Sequence, residues 1–115
     1  MKEFVELKLD LTKTTTAVVV RRRGDGREIQ QEEKTPLSGF VTQSLKRVRS
    51  FAEAEANRNL LKNASSGKPF SVTPEEFKIV FDVFKNAETE TMLAFSDMVR
   101  EQNNGFSVVE YEDSL

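Results

Sequence analysis

The apolar residues of this chain change their spacing once. In "FVELKLDL" (4–11), Val5, Leu7, Leu9 and Leu11 alternate with Glu6, Lys8 and Asp10 after Phe4. A period of two puts one set of side chains on each face of an extended segment, so this reads as a strand with one buried face. "TKTTTAVVVRRR" (12–23) is dense in β-branched residues that suit a pleated surface, and "REIQQEE" (27–33) is a weaker third strand. Between the last two, Gly24-Asp25-Gly26 tolerates the positive φ that tight hairpins demand. The expectation is an N-terminal three-stranded antiparallel meander over about residues 3–33.

Beyond residue 35 the spacing lengthens to three and four. Leu37, Val41, Leu45, Val48, Ala52, Ala56 and Leu60 make one stripe on a helix, flanked by Phe40 and Phe51. Thr35 or Ser38 can cap it, and Pro36 suits its first turn. Glu55 falls on the stripe, so the helix is expected to bend there or to leave the core at its far end. "NASSGKP" (63–69) breaks it. Thr73, Pro74 and the Glu75-Glu76 pair then supply an N-cap, a first-turn proline and acids for the positive helix end, ahead of Phe77, Val80, Phe81 and Phe84. Met92, Phe95 and Val99, with Leu93 and Met98, mark a further helix stopped by Asn103-Asn104-Gly105. "FSVVEYE" (106–112) has strand chemistry and is a candidate C-terminal strand, added to the sheet or to a partner. The predicted fold is α+β: the meander packed against two or three helices, as a single domain over 1–115.

Two missing residue types narrow the chemistry. Without cysteine there is no disulfide, thiolate metal site or thiol nucleophile. Without histidine the chain lacks the one side chain whose ordinary pKa lies between pH 5 and 8, and the commonest metal ligand. "RGDGRE" and "SSGKPFS" both lack P-loop spacing. Ser65, Ser66 and Lys68 read as a flexible loop before they read as a Ser/Lys dyad. No catalytic residue, metal or cofactor is therefore expected. No apolar run approaches 20 residues, and "MKEFVELKLDL" is too charged for a signal peptide, so no membrane association and a cytoplasmic location are expected. Arg23-Gly24-Asp25 spells an adhesion tripeptide that recurs by chance.

Charge is split along the chain. Residues 13–50 hold nine Lys/Arg against four Asp/Glu; residues 51–115 hold six against twelve. Two halves that attract each other are the favoured reading, and a polyanion-facing surface the other. On the second reading, Arg21, Arg22, Arg23 and Arg27 at the hairpin, with Lys46, Arg47 and Arg49, form a candidate nucleic-acid interface, because guanidinium pairs bidentately with phosphate. Against it, edge strands carry charge to block edge pairing, and Glu28, Glu32 and Glu33 lie on the facing strand. The aromatics expected of a single-strand binder are missing from this segment. Glu75, Glu76, Asp82, Glu88, Glu90, Asp97 and Glu101 offer a carboxylate array to a basic partner, or a mimic of nucleic acid.

Phe77, Phe81, Phe84, Met92, Phe95 and Met98 form a third candidate. They are more apolar than one small sheet can cover, which points to a partner interface or a homodimer; simple packing into the core is the competing reading. The leading expectation is a small non-catalytic adaptor or regulatory protein acting by protein–protein contact. Its size and lack of motifs fit a phage or mobile-element accessory protein or inhibitor. A nucleic-acid-binding module is second, and a small carboxylate enzyme third.

Overall fold

The computed structural model describes residues 6–115, with residues 17–19 described in backbone only. Phe4 and Val5 of the expected first strand lie outside the described residues. In chain order the elements are β1 (Leu7–Leu9), β2 (Thr14–Arg22), β3 (Glu28–Pro36), α1 (Leu37–Leu45), α2 (Phe51–Ala64), β4 (Phe70–Val72), α3 (Pro74–Lys85), α4 (Thr89–Gln102) and α5 (Val108–Asp113). The architecture is α+β with antiparallel strands, as the two apolar periods predict.

The pairing differs from a simple meander. β2 and β3 form the expected hairpin, in register from Thr14↔Pro36 to Arg22↔Glu28. β1 instead pairs with β4, Leu7 opposite Val72 and Leu9 opposite Phe70. Met98 of α4 and its C-cap residue Asn103 serve main-chain groups in and just after β1. The Lys8 amide donates to Asn103 Oδ1 at 2.7 Å, and Asn103 Nδ2 donates to the Lys8 carbonyl at 2.7 Å. The Asp10 amide meets Met98 Sδ at 3.2 Å. With those groups satisfied from α4, β1 has little left to offer β2. Asp10 then turns the chain: its carboxylate accepts from the Thr12 amide at 3.1 Å, and its carbonyl from the Lys13 amide at 3.3 Å.

Three helices begin on the same local device. Thr73, Ser50 and Ser107 each adopt an extended conformation and accept from the backbone N–H three residues on, at Glu76, Glu53 and Glu110. In each case the spacing is Ser/Thr-x-x-Glu, the capping-box signature. Ser50 explains why the single long helix expected over 37–60 is two. α1 ends at Leu45, and Ser50 starts α2 as a separately capped helix. Ala52 and Ala56 are accordingly exposed, while Leu60 and Ala64 reach the core. Glu55 leaves the expected stripe and pairs with Arg58. At the start of α1 no side chain caps; the Leu37 and Ser38 amides donate to the Lys13 and Leu11 carbonyls, both at 2.9 Å.

Ser107 also corrects the expected C-terminal strand, because 108–113 is helical. Asn104 and Gly105, at φ 29° and 88°, turn the chain out of α4, a conformation glycine adopts without a Cβ penalty. A helix brings Tyr111 inward, edge-on to Phe77 at 4.8 Å and to Phe81 at 5.1 Å. The core under these rings joins Leu7, Leu9 and Leu11 to Leu37 and Val41, and to Val80 and Val99.

The β2–β3 hairpin leaves this core. Thr15, near its base, is buried and its hydroxyl lies 3.5 Å from that of Thr91, whereas every residue from Val20 to Glu28 is exposed. Strands of nine residues span about 30 Å. The Cα radius of gyration is 15.8 Å, against about 13 Å for a compact chain of this length.

Candidate functional site

α3, α4 and α5 carry five of the ten aromatic side chains, all buried. Phe84 stacks on Phe95 at 4.5 Å, and Phe77 meets Phe106 edge-on at 5.7 Å. Of the six residues expected to form a partner interface, Phe77, Phe81, Phe84, Phe95 and Met98 are buried and only Met92 is exposed. Most of that set is core, because the helices and the β1–β4 pair cover it together. The competing reading of simple packing therefore holds for those five in this chain.

The same rings nevertheless floor a surface groove. Phe81, Phe84 and Phe95 lie at its base, and its opening of about 150 Å³ runs between α3, α4 and α5. Met92, Leu93 and Val109 stand at its rim, exposed to 38%, 58% and 64%. Sequence periodicity reaches Met92 and Leu93 but misses Val109. The Ser107-x-x-Glu110 spacing was the signal that would have turned 108–113 into a helix and placed Val109 on its outer face.

These helices are acidic. Residues 74–113 carry ten Asp/Glu against three Lys/Arg. Lys78 pairs with Asp82 at 3.8 Å and Arg100 with Asp97 at 2.9 Å, so Lys85 is the one cation of these helices outside an ion pair among the described residues. Lys85 and Glu112 both line the groove. Burial, and secondarily the Asp82 carboxylate, raise the Tyr111 phenol above its ordinary value of 10.0, so it stays neutral against the rings.

The basic candidates fall on two separate elements. Arg21 pairs with Glu33, Arg22 with Glu28 at 3.7 Å and Arg27 with Asp25 at 3.9 Å, all within the hairpin arm and all exposed save the half-buried Glu33. Arg23 makes no ion pair among the described residues. Over residues 14–36 five Lys/Arg face four Asp/Glu, so the arm is close to neutral. Lys46, Arg47 and Arg49 lie exposed on the connection between α1 and α2. Arg47 borders a more polar groove with Phe40, Ser44 and Glu88.

Elsewhere, Ser66 Oγ donates to the Asn63 carbonyl at 2.7 Å and accepts from the Lys68 amide at 3.3 Å, which uses the 65–68 hydroxyl in turn formation. Phe51 is 94% exposed at the start of α2. Among the described residues no group of three or more Asp or Glu is placed to hold a metal ion, and no helix is long and apolar enough to cross a membrane. No protein-family model, curated protein or solved structure matches this chain.

Proposed function

We propose that this is a non-catalytic adaptor or regulatory protein that acts by protein–protein contact through the α3–α4–α5 groove. The observation that carries the reading is the exposed rim of Met92, Leu93 and Val109 over a floor of buried rings. Apolar side chains exposed together beside a preformed cleft gain free energy only when something covers them. The sequence expectation named Phe77, Phe81, Phe84, Met92, Phe95 and Met98; the proposal keeps Met92 and adds Leu93 and Val109 at the groove rim.

Photo-crosslinking from position 93, compared with position 20 on the arm, tests it. The expected result is a discrete adduct with another chain from position 93, lost when Val109→Ser is added. An adduct confined to position 20 would remove the groove from the function.

A second reading, nucleic-acid binding by the arm, is supported by its projection into solvent and by Arg23, which makes no ion pair among the described residues. The near balance of charge over residues 14–36 weighs against it, since affinity for a polyanion follows the excess of cations. Retention on duplex DNA that falls with salt, and disappears on changing Arg21, Arg22 and Arg23 to Ala, would favour the arm.

A further inference from the structure

We propose that the groove's occupant is a short cationic amphipathic helix of another protein, anchored by one or two large apolar side chains. The inference rests on the contact reading above and specifies the partner's chemistry.

Size sets the first limit. An opening of about 150 Å³ is smaller than the roughly 300–1,000 Å³ usual for metabolite pockets, and fits an anchor side chain. Three exposed apolar residues fall well short of the roughly 800 Å² per partner of a stable dimer. All three lining elements are helices, so no strand edge is offered for β-augmentation, and helix-in-groove docking is the mode that remains.

Charge sets the second limit. Once the Lys78–Asp82 and Arg100–Asp97 pairs are set aside, α3 to α5 leave eight carboxylates against Lys85. The lining itself carries one charge of each sign, Lys85 and Glu112, and Asp113 follows Glu112 in α5. The surplus of carboxylates over these helices as a whole favours Lys or Arg on the parts of an occupant that extend beyond the apolar anchor. The cations of a second copy are placed otherwise: Arg21, Arg22 and Arg27 pair within its arm, and its exposed Lys46, Arg47 and Arg49 lie on the α1–α2 connection and not on a helix.

The test is fluorescence anisotropy of three labelled synthetic helices with the full chain. The first carries Leu and Phe anchors with Lys and Arg flanks, the second the same anchors with Glu flanks, and the third the basic flanks with Ala anchors. Saturable binding of the first alone is expected. Leu93→Ser or Val109→Ser should weaken it about tenfold each. Glu112→Gln with Asp113→Asn should weaken it less and flatten its salt dependence. All four positions are exposed, and unchanged thermal melts confirm that the variants fold. Equal binding of the second or third peptide overturns the proposal, as does failure of all three. So does a dimer in light scattering that Leu93→Ser dissociates, because the occupant is then a second copy. Crosslinking from position 93 judges the contact role separately: an adduct there without peptide binding defeats the cationic helix and keeps the groove.

Discussion

In α3–α5 the side chains that meet are Phe77, Phe84, Phe95 and Tyr111; in the β2–β3 arm they are Arg21 with Glu33 and Arg22 with Glu28. The first group is removed from water and the second stands in it. Burial of an aromatic ring stabilises by several kcal/mol, whereas an exposed ion pair contributes between nothing and about 1 kcal/mol. A two-stranded hairpin alone is marginal in water. The fold's stability thus sits in the helical body and its β1–β4 seam, and the arm depends on its base, where Thr15 is buried near Thr91.

The sharpest way to break this contrast is Phe77→Ala. It deletes a fully buried ring at the centre of the aromatic cluster and should cost about 3–5 kcal/mol in denaturant unfolding. Val20→Ala on the arm should cost less than about 0.5 kcal/mol. Comparable losses at the two positions would mean that the arm is packed against something in solution.

A smaller effect is expected at the seam. Asn103→Ala removes both hydrogen bonds to Lys8 and should destabilise by about 1–3 kcal/mol. Hydrogen exchange at the Lys8 amide should quicken with it, while the arm amides keep their rates. If exchange at Lys8 is unaffected, the side-chain clamp is not what occupies β1.

The smallest effect belongs to the arm's charges. Arg21→Ala should change stability by at most about 0.5 kcal/mol, and high salt should erase even that, since Arg21 is exposed and Glu33 partly so. A larger, salt-resistant loss would show that the pair is shielded and that the arm is more than a local ladder.

Much of the fold was legible in the residues, and the two misplaced helix boundaries have one cause. The hairpin follows from β-branched density around Gly24-Asp25-Gly26, and α3 from Thr73, Pro74 and its spaced Phe residues. Each misread boundary, at Ser50 and at Ser107, overlooked a Ser-x-x-Glu spacing of the kind recognised in part at Thr73. Apolar period outweighed capping in the reading, yet capping decides where a helix starts. The candidate site was half legible: Met92, Phe81, Phe84 and Phe95 do line the groove, but which faces are floor and which are rim depends on three helices at once.

By itself, then, the sequence determined the element types and the excess of carboxylates on the C-terminal helices, because period and charge are local properties. It also determined the three capped starts, since a serine or threonine hydroxyl reaches only the next turn. Tertiary structure alone decided that β1 pairs with β4, that Asn103 serves the Lys8 main chain, and that Leu93 and Val109 share a rim. These depend on residues dozens of positions apart, brought together when burial of the shared apolar core offsets the entropy of closing the loops between them.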